Sequence, residues 1–317
     1  MALYLALVVG SWVVPRIPRQ LAYFVATCAG VVAFLLAQRS RRNSEANLSV
    51  VLGQQPISPP VRISAMLAFC YNARNWVDTL LLGRLSPADL ESSIHLEGWE
   101  HLESALSEGK GVILVGLHLG NIDVVGQIVA ARGIAMTIPV ESMRPPALFR
   151  RLQRLRQSMG IKTVPVTESP RTLLEALQRN EIVALTCDRN LGDGGVEVRF
   201  FGRPTQVSKG PAWLATRSEA PVVMGYGLRR PDNGFDARVL APLQMRRTGR
   251  RQADLQANAQ TIMAQAESLI RAHPAQWMMF ARLWPEVVRQ QRNAQSTHVV
   301  PESKRSTSGK GWVRLIR

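Results

Sequence analysis

The chain has 317 residues, of which 46% are hydrophobic and 20% are charged. This composition is typical of a folded globular protein and excludes a disordered one. The formal net charge of +16 indicates an anionic partner: nucleic acid, anionic lipid headgroups or a phosphate-bearing substrate. The three cysteines, Cys28, Cys70 and Cys187, are scattered, which argues against a disulfide framework or a zinc site.

The N-terminal segment is apolar, and arginines lie before and after its longest uncharged stretch. Leu21–Ala37 carries no charge, and Arg39, Arg41 and Arg42 follow at once. As a helix this stretch reaches about 26 Å, slightly less than the hydrocarbon core of roughly 30 Å. It is therefore either a marginal span or peripheral membrane segment with cytoplasmic arginines, or a buried or surface helix of a globular domain. The apolar start and the arginines favour a membrane surface over nucleic acid.

Three regions follow from this pattern. Residues 1–42 are predicted to be a hydrophobic, membrane-associating segment, and residues 43–292 the main folded domain. Residues 293–317 are rich in Ser, Lys and Arg, which predicts a disordered basic tail able to reinforce a membrane contact.

From residue 111 onward, short β-rich runs alternate with amphipathic helical patterns. The predicted strands are 111–117, 135–140, 162–166, 182–187, 221–227 and 235–240. The predicted helices are 61–83, 121–132, 144–159, 169–179, 208–217, 252–272 and 274–292. The alternation predicts an α/β fold, with a mostly parallel central sheet flanked by helices and preceded by the hydrophobic N-terminal helical segment.

His118 directly follows the apolar run 111–117, at the carboxyl end of a predicted strand, where α/β proteins gather their active sites. Asp123 lies five residues later. If His118 is on the turn and Asp123 in the first turns of the next helix, the carboxylate can orient one ring nitrogen while the other accepts a proton. The alternative is a histidine that only caps a helix.

Common cofactor and nucleophile motifs are absent from the sequence. We find no GxxxxGK[ST] loop, no strand-linked GxGxxG, no GxSxG elbow and no HExxH. We therefore expect no nucleotide cofactor and no metal. A histidine base without its own serine or cysteine nucleophile suggests that the substrate's hydroxyl is the nucleophile.

Four ordered blocks carry a family resemblance. HLGNID (118–123) resembles the H-x4-D motif of the lysophospholipid acyltransferase superfamily. ANLSVVLG (46–53), CDRNLGDGGVEVRFFGRPTQVSKGPAWLA (187–215) and HPAQWMMFARLWP (273–285) are similar to further blocks of its bacterial branch. That branch holds the lipid A late acyltransferases and the phosphatidylinositol mannoside acyltransferases. Many lipid A enzymes have glutamate where this chain has Asp123, so the motif is more similar to the mannoside side.

The resemblance implies a reaction. The family transfers an acyl chain from acyl-CoA or acyl carrier protein, as donor substrate, to a hydroxyl of a membrane glycolipid or phospholipid. By this resemblance His118 is the general base, and Asp123 orients it and stabilises its imidazolium. The implied place is the cytoplasmic face of the bacterial plasma membrane, on an anionic surface, as a peripheral protein or with a single N-terminal span.

The same resemblance assigns acceptor-binding or site-shaping roles to five other charged residues. They are Glu141, Arg156, Asp188, Arg189 and Glu197. The competing interpretation of each is an ordinary ion pair. Trp277 and Trp284 are predicted to be core aromatics.

Two rival functions remain at this level. The first is a thioester hydrolase that uses His118 and Asp123 on water, and the second is a basic lipid-binding protein without catalysis. The absence of a serine elbow and of a metal motif argues against the hydrolase. A binding protein would not need a histidine and carboxylates at several strand ends.

Overall fold

The computed structural model of the chain describes residues 9–81, 92–141, 145–190 and 194–284. Its centre is a seven-stranded sheet in the order β1-β9-β8-β2-β5-β3-β4. All neighbouring strands run parallel except β8 and β9. The strands of this sheet are β1 (Ile94–Glu97), β2 (Val112–Gly116), β3 (Met136–Val140), β4 (Ile161–Pro165), β5 (Ile182–Thr186), β8 (Val222–Arg229) and β9 (Phe235–Val239).

Helices cover this sheet, as the alternating pattern predicts. The helices of the described residues are α1 (Arg19–Leu36), α2 (Gln38–Leu52), α3 (Pro59–Leu81), α4 (Trp99–Ser107), α5 (Ile122–Ala131), α6 (Pro146–Ser158), α7 (Ser169–Gln178), α8 (Gly210–Arg217) and α9 (Arg251–Ala272). Of these, α1 and α2 pack chiefly on α3. Every residue of β2 and of β8 is buried. Strands of this kind, apolar apart from Arg229 at the end of β8, belong in the middle of a sheet with both faces covered. The predicted fold class is therefore confirmed.

The sequence pattern missed three strands. β1 is only four residues long, and β6 (Val196–Phe200) and β7 (Arg203–Val207) form a separate antiparallel hairpin. The alternation of a half-buried strand is visible in β6: Val196, Val198 and Phe200 are buried, and Glu197 and Arg199 are exposed. The hairpin packs on α9.

The predicted helix over 274–292 is wrong for the described residues 274–284. Residues 274–276 form a single 3-10 turn, and residues 277–284 are not helical. Their backbone groups bond to distant partners instead: the Asn47 amide donates to the carbonyls of Met279 and Ala281. Residues 285–317, including the predicted basic tail, lie outside the described residues.

The N-terminal helix α1 is long and apolar enough to cross a membrane, with a mean hydropathy of 1.6, and it is the one such helix among the described residues. One face of α1 packs closely on α3, since a Cβ on Gly30 would lie only 2.6 Å from the Cα of Cys70. Its other face presents apolar side chains to the outside: Leu21, Phe24, Val25, Val32, Leu35 and Leu36. The predicted boundary after residue 42 falls inside α2.

Candidate active site

Strand register brings His118 and Asp188 together. Gly116 at the end of β2 pairs with Thr186 at the end of β5, and each functional residue follows its strand by two positions. The ring Nδ1 of His118 lies 2.8 Å from Oδ1 of Asp188, and the backbone N–H of His118 donates to Oδ2 at 3.0 Å. The carboxylate that orients the ring in the structure is therefore that of Asp188, in the place where the sequence predicted Asp123.

Asp188 is held rigidly. Its side chain is fully buried, and the indole Nε1 of Trp277 donates to Oδ2 at 2.9 Å. Trp277 and Trp284 are core aromatics, as predicted, each 1% exposed. The contact of Trp277 with Asp188 was not predicted, because the two residues are 89 positions apart and no local pattern connects them.

The electrostatics of the pair favour a charged ring. Burial by itself lowers the pKa of His118, but the charge and hydrogen bond of Asp188 outweigh it, so the pKa lies above its ordinary value. Burial likewise works to raise the pKa of Asp188. The His118 charge and the hydrogen bonds to the carboxylate overcome that effect and hold the pKa below its usual value. No described residue hydrogen-bonds to Nε2 of His118, and the side chain is 32% exposed, so this nitrogen can meet a substrate.

Asp123 is placed in the first turn of α5, and the Asn121 side chain caps that helix by accepting from the Asp123 N–H at 3.1 Å. The Asp123 carboxylate accepts a hydrogen bond from Arg156 Nη2 at 3.0 Å. Arg156 lies near the end of α6. The two sequence-predicted residues are thus brought together with each other, and among the described contacts neither is bonded to His118.

Glu141 and Arg189 form a second pair at the carboxyl edge. Glu141 follows β3, Arg189 comes three positions after the end of β5, and their side chains meet at 3.2 Å. Both charges act on the His118 ring: Arg189 lowers its pKa and Glu141 raises it. Both are partly exposed, so they form a charged rim beside the ring.

Glu197 is not part of this group. It lies within the hairpin strand β6, opposite Gln206 of β7, and its side chain is exposed. No described side-chain contact connects it to His118. The prediction that it shares the site remains a prediction.

The turn that carries His118 is held by a segment that sequence reasoning had assigned to a helix. The N–H of Met278 donates to the His118 carbonyl at 2.8 Å, and the N–H of Gly120 donates to the Gln276 carbonyl at 2.9 Å. The Gln276 side chain in turn exchanges two hydrogen bonds with the backbone of Arg229, each at 2.9 Å. The C-terminal block is therefore a structural part of the site.

Within the described residues, no group of three or more His, Cys, Asp or Glu side chains could hold a metal ion. The chemistry available here is that of an oriented imidazole with charged residues around it. Such a group can remove a proton from a hydroxyl and return it to a leaving group.

Comparison with known proteins identifies the family of the chain. The family described as bacterial lipid A biosynthesis acyltransferase matches residues 1–286. A phosphatidylinositol mannoside acyltransferase of Mycobacterium tuberculosis is 30% identical over 255 residues, 78% of each chain. That of Mycolicibacterium smegmatis is 29% identical, covering 78% of this chain and 81% of its own. A lipid A biosynthesis acyltransferase of Haemophilus influenzae is 25% identical over 62% of this chain and 61% of its own.

The resemblance predicted from the four sequence blocks is confirmed by these matches, and with it an acyltransferase of lipid biosynthesis. The matched residues include His118 and Asp188 at the strand ends, Asp123 in the first turn of α5, and the segment 276–278 that supports the His118 turn. The chain belongs to the bacterial lipid A biosynthesis acyltransferase family.

Proposed function

We propose that the protein transfers a fatty acyl chain from acyl-CoA or acyl carrier protein to a hydroxyl of a glycolipid or phospholipid, with His118 as general base. The observation that carries the proposal is the ring of His118, whose Nδ1 is bonded to the buried Asp188 while Nε2 remains open. The mannoside acyltransferases among the relatives favour a glycolipid acceptor of that kind.

The proposed reaction has two proton transfers. Nε2 of His118 takes the proton of the acceptor hydroxyl as its oxygen attacks the thioester carbonyl, and a C–O bond forms. The tetrahedral intermediate then collapses, the C–S bond breaks, and the imidazolium returns its proton to the leaving thiolate. Asp188 fixes the ring tautomer and stabilises the imidazolium between the two steps.

Charged residues near His118 provide contacts for the substrates. We assign Arg156, held by Asp123, and the Glu141–Arg189 pair to acceptor binding and shaping of the site mouth. The role of Asp123 is then to hold Arg156. No cofactor is required for this chemistry, since the thioester itself supplies the activated acyl group.

Acyl transfer tests this function directly. Detergent-purified protein receives radiolabelled palmitoyl-CoA or palmitoyl-acyl carrier protein together with phosphatidylinositol mannosides, lipid A precursors or lysophospholipids. We expect a labelled lipid from one acceptor class, and a loss of about 10²–10⁴-fold in His118→Ala, because general-base catalysis is worth that much. His101→Ala, on α4, is the matched control and should retain transfer.

Other outcomes identify the rival functions. Free palmitate without any labelled lipid, lost in His118→Ala, would mean a thioester hydrolase. Lipid binding with neither transfer nor hydrolysis would leave a binding protein. Either result would refute the acyltransferase.

We place the protein at the cytoplasmic face of the plasma membrane, with the exposed face of α1 in contact with lipid. The exposed residues of this face recur at helical spacing, and Phe24 and Leu36 are 66% and 75% exposed. Arg39, Arg41 and Arg42 follow directly and suit anionic headgroups. Because the opposite face packs on α3, this geometry supports a peripheral attachment rather than an isolated span.

Vesicle flotation tests this placement. In Phe24→Asp/Leu36→Asp we expect binding to phosphatidylglycerol vesicles to fall at least about tenfold, since a carboxylate in the hydrocarbon costs roughly 2.5–3.5 kcal/mol. The control is Ser107→Asp/Gln178→Asp, which adds the same charge at exposed positions of α4 and α7. Equal binding by the two double variants would exclude α1 as the contact.

A further inference from the structure

A buried polar cluster connects α1, α3 and β8 to the turn that carries His118. The Asp78 cluster consists of Tyr23, Asn75, Asp78, Asn121 and Arg229. Oδ2 of Asp78 accepts hydrogen bonds from Asn121 Nδ2 at 2.8 Å and from Arg229 Nη2, and Oδ1 accepts from the Tyr23 hydroxyl at 2.6 Å. None of these five residues was among the sequence-predicted site residues, and none contacts the His118 ring in the described hydrogen bonds.

The cluster is hydrogen-bonded to two consecutive residues of the turn, Gly120 and Asn121. Asn121 is bonded to Asp78 through its side chain, and the carbonyl of Gly120 accepts from Asn75 Nδ2 at 2.8 Å. The same nitrogen of Arg229 that bonds Asp78 also donates to Asn75 Oδ1 at 3.0 Å. Arg229 therefore braces both side chains that hold the turn.

The backbone of the turn leaves little freedom for a second arrangement. Gly120 has a φ of +64°, and a Cβ there would lie 2.0 Å from the Gly227 carbonyl oxygen. The N–H of Asn121 donates to that same carbonyl at 2.7 Å. The turn thus lies directly on β8, two residues before Arg229 on that strand, and His118 is only two residues before Gly120.

The cluster buries a charged arginine whose hydrogen-bonding groups are only partly satisfied. The Arg229 side chain is 1% exposed, and its Nε and Nη1 have no hydrogen-bond partner in the described part of the chain. The rings of Tyr23 and Phe235 lie 5.1 and 4.6 Å from its Cζ. Hydrophobic residues in the place of a buried ion pair are often equally stabilising, so stability alone does not account for this pair.

We propose that Asp78 and Arg229 are positioning residues for acyl transfer, which act through Asn121 and Asn75 to hold the 118–121 turn so that the His118 ring meets Asp188. The proposal rests on the proposed function for its kinetic part. Catalytic groups must stay close to their productive geometry, and a displacement of about 1 Å can cost 10²-fold in rate.

Asn121→Ser separates this role from general stability. Serine still caps α5 by accepting from the Asp123 N–H, but it is too short to reach Asp78. Thr137→Val is the control, because it also removes the hydrogen bond of a buried side chain, the one from Thr137 to Glu181 just before β5, at the opposite end of that strand from Asp188. We expect kcat to fall by about tenfold or more in Asn121→Ser with KM within about twofold, and Thr137→Val to keep the native kcat.

A second readout does not depend on activity. Diethylpyrocarbonate modifies neutral imidazole, and mass spectrometry of the peptide that contains His118 gives its rate of modification at neutral pH. We expect a changed rate in Asn121→Ser and the native rate in Thr137→Val. If Asn121→Ser does not fold, Asn75→Ala takes its place, since it removes the contact to the Gly120 carbonyl.

The outcomes separate the two proposals. Native kcat and native His118 reactivity in the turn variants would overturn the positioning role. The same applies if Thr137→Val lowers kcat and changes the His118 reactivity as much as Asn121→Ser does. If the native protein transfers no acyl chain but Asn121→Ser still changes His118 reactivity, the positioning of His118 stands and the acyltransferase function falls.

Discussion

Replacing Asp188 with asparagine is expected to lower kcat by about 10³–10⁴-fold, because an amide favours the wrong tautomer of the His118 ring and cannot stabilise the imidazolium. Asparagine keeps the shape of the side chain, and its oxygen can still accept from the Trp277 indole. The loss should therefore appear in kcat, in an acyl-transfer assay on protein whose thermal unfolding shows that it is folded.

The pH profile should change as well. The native rate needs a neutral ring, and the pKa of His118 is raised, so the rate should rise with pH through an inflection above about 6.5. In Asp188→Asn the main cause of the raised pKa is gone, while burial and Arg189 still lower it against the weaker opposing effect of Glu141. The inflection should therefore move to lower pH although the rate falls.

Asp123→Asn is the control for Asp188→Asn. It changes the partner of Arg156 without touching the hydrogen bonds of the His118 ring, so its loss should be smaller and the inflection should stay in place. The reverse result, an inflection moved by Asp123→Asn and not by Asp188→Asn, would return the orienting role to Asp123.

Arg229→Met is expected to lower the free energy of unfolding by about 3–5 kcal/mol, since it leaves the buried carboxylate of Asp78 without its cation. Burial raises the pKa of Asp78 even though Arg229 and the hydrogen bonds to the carboxylate lower it. Chemical denaturation followed by circular dichroism measures the effect.

Arg230→Met is the matched control for Arg229→Met. The neighbouring arginine pairs with Asp232 and Asp236, whose side chains are 65% and 50% exposed. Exposed pairs of this kind contribute about 0–1 kcal/mol, so the control should lose little. Equal losses in the two variants would mean that the buried pair has no special energetic role.

The sheet could be predicted from sequence because each central strand is a short run of consecutive apolar residues, which is a local pattern. The apolar runs around β2, β5 and β8 need burial on both faces, and the intervening amphipathic patterns cover them. β1 was not predicted because four residues are too few to show a periodic pattern. The β6–β7 hairpin was not predicted because Pro204 and the alternating polar residues are unusual for a strand. The place of His118 at a strand end is a local property and was predicted correctly.

The partner of His118 could not be predicted in the same way. The pairing with Asp188 depends on β2 and β5 being neighbours, and strand order is a long-range property that periodicity does not contain. The error at 274–292 has a related cause. Helical spacing was present, but bonds to Asn47, Gly120 and His118 gave the backbone better partners than a helix would.

The support of the His118 turn by Gln276 and Met278 has a consequence for the synthesis of the protein. The strands that carry His118 and Asp188 leave the ribosome long before the segment that includes Trp277 and binds the His118 carbonyl. A nascent chain can therefore assemble most of its sheet while the imidazole and its carboxylate still lack their final support. We therefore expect His118 to reach its final position only after the segment with Gln276, Trp277 and Met278 has left the ribosome and can bond to the turn and to Asp188.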